Sequence, residues 1–305
     1  MAHGRHFSEG FTTARAFAAN GTKVHITGRR PSVLEEAAAV SPHPVSRFNI
    51  AKTFAANGAK VYITGRRLDV LEKAAASVTG VPGSIVPLQM DVTDEEAVKA
   101  GAKHIEETDG KLDILVNNAG IAGSLRDPDF FAKQTAASDP LEPETVQNWA
   151  DVFALNTMAP FFVVRVFQSL LIKGARSRPQ GTSSVINISS VVATYNSQGS
   201  GTCLAYSATK AALDKLTLVL GMSFAERGIP IRVNALQPGF FASQIVGPGV
   251  LETIKTQVPG FLAPVPARRH GTEAEIGMAA TYLAVSDYTN GALLSIEGGI
   301  SLVNP

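Results

Sequence analysis

Tyr206 and Lys210 stand four residues apart in the run Tyr206-Ser-Ala-Thr-Lys210. On an α-helix that spacing puts both side chains on one face, one turn apart. A phenol ionises near pH 10, too high for efficient proton transfer at neutral pH. A neighbouring ammonium favours the phenolate and brings that value down. The pair can therefore give a proton to a carbonyl oxygen and recover it. Spacing alone does not decide the matter, because tyrosine and lysine recur at this distance in many helices. Upstream, Ser184-Val-Ile-Asn-Ile-Ser-Ser190 reads as a strand ending in two serines, the second 16 residues before Tyr206. A hydroxyl there can hydrogen-bond the same substrate oxygen. Ser190 is the first choice for that role and Ser189 the alternative. Asn156 lies in an apolar helical stretch, where an amide is costly unless its hydrogen bonds are met. It is either a packing contact between helices or a member of the site.

The elements that must carry these residues alternate. Ser84–Met90 reads as a strand, Asp94–Thr108 as a helix and Leu112–Val116 as a buried strand. Thr145–Lys173 reads as one or two helices, Ser184–Ser189 as a strand and Tyr206–Arg227 as a helix. Ile231–Leu236 and Gly291–Ile296 read as further strands. Strands and helices taking turns predict an α/β fold, a Rossmann-like doubly wound parallel sheet covered on both faces. Continuous apolar strands such as Ile114-Leu115-Val116 fit a sheet buried on both sides. No linker or second core separates residues 1–305, so one domain is expected. Within it, residues 1–45 are atypical. Ala14–Ala39 and Ala51–Ala76 are one unit repeated at an offset of 37 residues, with 19 of 26 positions identical. Repeat arrays need about three or more units, so two copies read as a local duplication.

The order Asp91, Asn117-Asn-Ala-Gly120, Asn156, Ser190, Tyr206-x-x-x-Lys210 and Pro238-Gly239 resembles the short-chain dehydrogenase/reductase family. The resemblance covers roughly Ala51–Pro305. It extends to Tyr288-Thr-Asn-Gly-Ala-Leu-Leu-Ser-Ile-Glu-Gly-Gly, with Glu297 where aspartate is usual. It implies an oxidoreductase that moves a hydride between a nicotinamide dinucleotide and a carbonyl or alcohol. Tyr206 would then be the proton donor and Ser190 would orient the carbonyl. Lys210 would lower the tyrosine pKa and hold the nicotinamide ribose, and Asn156 would hold a water in a proton relay. Asp91, Val92, Asn118, Ala119, Gly120, Pro238, Gly239 and Phe241 would frame the cofactor. The family also implies a homodimer or homotetramer, through helices Thr145–Lys173 and Tyr206–Arg227 and through the C-terminal strand. Phenylalanines at 130, 131, 240, 241 and 261 suggest an apolar pocket wall, as for a ketone or 3-oxoacyl group.

Thr64-Gly-Arg-Arg67 follows a strand, at the place where an acidic residue would accept the ribose 2′-hydroxyl of NAD. Arg66 and Arg67 instead offer fork donors for a 2′-phosphate, which points to NADP(H). One feature departs from the family. Its glycine-rich loop brings backbone amides close to the pyrophosphate, yet no glycine lies between Gly28 and Gly58. Before the first copy, His3-Gly-Arg-His-Phe-Ser-Glu-Gly10 carries Ser8 at the middle glycine position and lacks a preceding strand. The available repair puts Lys23–Thr27 in the central strand position, parallel to and beside Lys60–Thr64. Gly28 would then stand at its carboxyl end, with Arg29 and Arg30 near the phosphate. The connection would hold helices Pro31–Val40 and Arg47–Asn57. The alternative is a silent relative that keeps the fold and subunit contacts, binds dinucleotide poorly and acts as a binding or scaffold protein.

Bulk properties narrow the rest. A formal net charge of +1 gives no ground for nucleic acid or an anionic membrane as partner. The single cysteine, Cys203, excludes an intrachain disulfide and a thiolate metal cluster, so no metal site is expected. Phe153–Ile172 is greasy but carries Asn156, Arg165 and Gln168, and reads as a buried helix rather than a membrane span. With no apolar signal core in Met1–Gly10, a cytoplasmic protein is expected. Replacing Arg66 and Arg67 together by alanine should weaken NADPH far more than NADH in a fluorescence titration, at roughly 1.5–3 kcal/mol per charge-assisted hydrogen bond lost. Equal losses for the two cofactors would show that these arginines do not read the 2′-phosphate.

Overall fold

The computed structural model describes residues 23–27, 46–122, 145–178, 181–194, 204–242, 254–256 and 263–304. Seven strands form one parallel sheet. In chain order they are β1 (Lys23–Thr27), β2 (Lys60–Gly65), β3 (Ser84–Gln89), β4 (Ile114–Asn117), β5 (Ser183–Ile188), β6 (Ile231–Pro238) and β7 (Leu293–Ile296). Their order across the sheet is β3-β2-β1-β4-β5-β6-β7. The expected α/β doubly wound sheet is therefore present. The order reverses between β1 and β4, which makes the carboxyl ends of those two strands the switch point where such folds bind ligands.

The duplicated segment fills the centre. β1 pairs with β2 in the register Lys23↔Lys60 to Thr27↔Thr64, and on its other side with β4. That register offset equals the offset of the repeat. The two copies thus lie side by side in phase, Val24 beside Val61 and Ile26 beside Ile63. The expected central strand is found. Of the connection after it, helix α1 (Ser46–Ala56) matches the expected second helix. Pro31–Val40, Gly28, Arg29 and Arg30 lie outside the described residues.

The remaining helices are α2 (Leu68–Ala76), α3 (Glu95–Asp109), α4 (Val146–Phe153), α5 (Ala159–Arg176), α6 (Leu204–Glu226), α7 (Glu273–Val285) and the short α8 (Ile300–Val303). A π-helical turn, Ala154–Met158, joins α4 to α5 without a break. Alternation along the strands sorts the core into two layers. Leu115, Val185 and Val233 face Val98, Ile105, Phe167 and Leu171 on one side. Ile114, Val116, Ile186 and Leu236 face Ile50, Phe54, Ile276 and Leu283 on the other. The stretch Val146–Arg176 is long and apolar enough to cross a membrane by length and composition, but half of its most apolar window is buried inside the domain.

Several element boundaries shift by one or two residues from the sequence reading, and two differences are informative. β4 starts at Ile114 rather than Leu112, because the Leu112 N–H donates to Leu170 O of α5 at 3.0 Å instead of joining the sheet ladder. Helix α7 was not anticipated, although Thr272-x-x-Glu275 is a capping box whose two reciprocal hydrogen bonds are both formed.

The contact of α5 with β4 is tight. A Cβ on Gly174 would lie 2.0 Å from Leu112 O and 2.6 Å from Leu112 C, which are backbone atoms that cannot rotate away. This seat fixes α5 against the start of β4, and so fixes the π turn relative to the loop leaving its end. Gly174→Ala is expected to destabilise the fold by about 1–3 kcal/mol through overpacking. That exceeds the roughly 1 kcal/mol by which alanine is the better helix residue. A thermal melt should show a fall of several degrees, at about 2–4 °C per kcal/mol for a domain of this size. An unchanged or higher Tm would show that the packing relaxes freely.

Candidate functional site

Three segments meet at the carboxyl ends of β4 and β5: the run Asn118–Ile121 after β4, the serines after β5, and the first turns of α6. The first is held by Asn156. This residue is fully buried in the π turn, a local widening of the helix that recurs at functional sites. Its Oδ1 accepts from the Ile121 N–H at 2.9 Å. Its Nδ2 donates to Ile121 O at 2.8 Å and to Thr209 Oγ1 at 3.1 Å. These bonds offset the cost of burying the amide, and they tie the β4 loop to α6. Thr209 in turn donates to Tyr206 O at 2.8 Å, and Thr157 donates to Thr209 O at 3.0 Å. Of the two sequence readings for Asn156, the packing contact is the one seen directly. Thr209 was not singled out from sequence, since a threonine inside a helix motif carries no signal until its partner is known.

A second polar chain runs below. Asn117 Nδ2 donates to Asn187 Oδ1 at 2.9 Å, and Asn187 Nδ2 donates to Thr217 Oγ1 at 2.8 Å. All three residues are buried, so this chain locks β4, β5 and α6 together at the level of the site.

Tyr206 is half-buried, and Lys210 is only 4% exposed. The Lys210 Nζ stands 5.6 Å from the centre of the Tyr206 ring and donates to Ile188 O at 2.7 Å. The carbonyl at the end of β5 thus aims the ammonium toward the phenol. The two serines separate clearly. Ser189 Oγ donates back to Lys210 O at 3.3 Å and is buried. Ser190 takes an extended backbone, φ −164° and ψ 155°, and its Oγ accepts from the Val192 N–H at 3.4 Å, opening the 3-10 turn Val191–Ala193. Its O–H can still donate to another oxygen.

The residues expected at a dinucleotide lie along the same edge. Asn118 and Ala119 are buried, each 7% exposed. A Cβ on Gly120 would stand 3.2 Å from Asn156 Oδ1 and 3.6 Å from Lys210 Nζ, so the glycine leaves room beside the lysine. Asp91 Oδ1 accepts from the Thr93 N–H at 3.0 Å and from its hydroxyl at 2.7 Å. Its Oδ2 lies 3.9 Å from Arg66 Nε. Val92 is buried. Arg67 Nε and Nη2 are buried with no hydrogen-bond partner among the described residues, which fits a guanidinium built to receive an anion. Past β6, the Gly239 N–H donates to Ile296 O at 3.0 Å, and a Cβ there would lie 2.8 Å from Glu297 Cα. Pro238 ends β6, and the Phe241 ring is buried against Gly271. Glu297 accepts from the Ser301 N–H at 2.9 Å, opening α8. Phe130, Phe131 and Phe261 fall outside the described residues.

The model of the short chain dehydrogenase family matches residues 48–250. The chain belongs to the short-chain dehydrogenase/reductase family. Members of this family are oxidoreductases that bind nicotinamide dinucleotides. The chain is 32% identical over 214 residues to gluconate 5-dehydrogenase of Gluconobacter oxydans (strain 621H), covering 70% of this chain and 73% of that protein. It is 32% identical over 312 residues to the short-chain dehydrogenase/reductase VdtF of Byssochlamys spectabilis, covering 95% and 88%. Among solved structures it is similar to the Pseudomonas aeruginosa RhlG/NADP active-site complex, with TM-score 0.72, 25% identity, and 93% and 98% of the two chains covered. For a short-chain dehydrogenase/reductase with this geometry, Ser190→Ala should lower turnover about 100-fold or more. Ser189→Ala should cost less than tenfold, because that hydroxyl is spent on α6. A steady-state rate ranking in the opposite order would reassign the serine.

Proposed function

We propose that the chain transfers a hydride between NADP(H) and a carbonyl or alcohol substrate, with Tyr206 as the proton donor. The observation that carries this reading is the buried Lys210 ammonium, held by Ile188 O and set 5.6 Å from the Tyr206 ring. In so dry a place a positive charge acts strongly on the phenol and favours its ionised form. The Tyr206 hydroxyl gives its proton to the substrate oxygen during reduction and takes it back during oxidation. Ser190 donates to the same oxygen and holds it in place. When bound, the cofactor supplies or accepts the hydride.

Lys210 and Tyr206 would hold the nicotinamide ribose, with Pro238, Gly239 and Phe241 beyond it. Asp91, Val92, Asn118, Ala119 and Gly120 would frame the adenosine half. Gly28 would stand nearest the phosphates. Arg66 and Arg67 would take the 2′-phosphate. The orphaned nitrogens of Arg67 support that choice, as does the NADP bound to RhlG. The reading includes a homodimer or homotetramer acting in the cytoplasm. One subunit face would be α4–α5 with α6, which expose Trp149, Met158, Phe161, Val219 and Met222, and the C-terminal strand β7 would give the second.

Tyr206→Phe removes the transferable proton and little else. It should lower kcat by about 10²–10⁴-fold while leaving NADPH affinity and Tm close to those of the parent. Retention of more than about a tenth of the rate would exclude Tyr206 as the acid.

A further inference from the structure

One buried charge lies outside the groups used so far. Asp214 sits on α6 one turn beyond Lys210 and is 5% exposed. Its Oδ2 accepts from Gln237 Nε2 of β6 at 2.7 Å. Gln237 Oε1 accepts from Ser295 Oγ of β7 at 2.6 Å, the two residues being register partners. Its Oδ1 accepts no well-formed hydrogen bond, the nearby Ser189 hydroxyl being directed to Lys210 O. Asp214 is therefore clamped from the sheet side with one oxygen left over. An asparagine or serine would accept from Gln237 equally well, and without the cost of burying a carboxylate. The chemistry that needs a carboxylate here is a nearby cation. Lys210, one helical turn away and equally buried, is such a cation.

We propose that Asp214 is a positioning residue that keeps Lys210 protonated and, through it, sets the acidity of Tyr206. The proposal rests on the reading of Tyr206 as the proton donor. Burial pushes the Asp214 carboxyl above its ordinary value, while the Gln237 hydrogen bond and the Lys210 charge favour its ionised form. Lys210 is the charged group that acts on it. Among the described residues, Asp151 on α4 and Arg232 at the far end of β6 do not, and β5 and the π turn contribute neutral groups. Distance decides the sign of the effect on Tyr206. Eight residues of helix separate Asp214 from Tyr206, about 12 Å, against about 6 Å to Lys210. The direct repulsion between carboxylate and phenolate is therefore weaker than the effect through the lysine. Without Asp214, Lys210 loses its proton at lower pH and the phenol loses its neighbouring charge.

The test is a pH titration of phenolate absorbance on the cofactor-free protein. The transition lost in Tyr206→Phe identifies Tyr206 among the five tyrosines. Asp214→Asn, nearly the same size, should move that transition up by about one pH unit. Asp214→Glu should keep it near the parent. In a Lys210→Met background Asp214→Asn should produce no further shift, since the two act in series. An unmoved transition in Asp214→Asn would overturn the proposal, as would an equal shift with Lys210 absent. If Asp214→Asn does not fold, Asp214→Ser also removes the charge and should shift the transition in the same direction. No shift there would likewise overturn it. The titration requires neither cofactor nor substrate. A failure to turn over carbonyls would thus sink the reductase reading without touching this result.

Discussion

Each interior strand of a parallel sheet answers two rows of backbone donors and acceptors, one on either side. An empty interior position leaves both rows unpaired in a place water does not reach. β2 and β4 need such a strand between them, and in this chain the first repeat copy supplies it. The pairing is in phase with the repeat, Val24 being the register partner of Val61 and Ile26 of Ile63. Everything at the site hangs on that closure. The switch point exists only because β1 separates β2 from β4, and it is the carboxyl end of β4 that delivers Asn117–Ile121 to Asn156.

Above the sheet, order comes from buried polar groups that satisfy one another. Asn156 joins the β4 loop to α6, the Asn117–Asn187–Thr217 chain joins two strands to the same helix, and Lys210 is held by the end of β5. Each of these bonds forms in a low dielectric, where an unpaired partner is costly. The result is a first turn of α6 with little freedom. Such stiffness would suit the proton transfer proposed for Tyr206, which depends on the position of one hydroxyl relative to one carbonyl oxygen.

The same burial makes charge the sensitive quantity. Lys210 and Asp214 are both buried, and burial disfavours the charged form of each. In the arrangement proposed, the Asp214 carboxylate, tied to the sheet by Gln237, offsets that cost for the lysine. The site thus balances two desolvated groups of opposite sign. Replacing either alone leaves the other uncompensated.

Much of this was legible in the sequence. The alternation of apolar runs and helical stretches gives the doubly wound sheet, because each element must bury one face. The spacing of Tyr206 and Lys210 gives a shared helical face whatever surrounds it. The in-phase repeat gives the central strand, since Val24 and Ile26 lend Lys23–Thr27 the β-branched character a buried strand needs. Tertiary structure alone decided the rest. Ser189 and Ser190 are chemically identical neighbours, and only the chain's turn after β5 sends one hydroxyl to α6 and leaves the other at the cap. Thr209, Asp214 and Gln237 acquire roles from partners 23 to 53 residues away in sequence. No local pattern encodes such distances, because they are set when α6 is laid against the finished sheet.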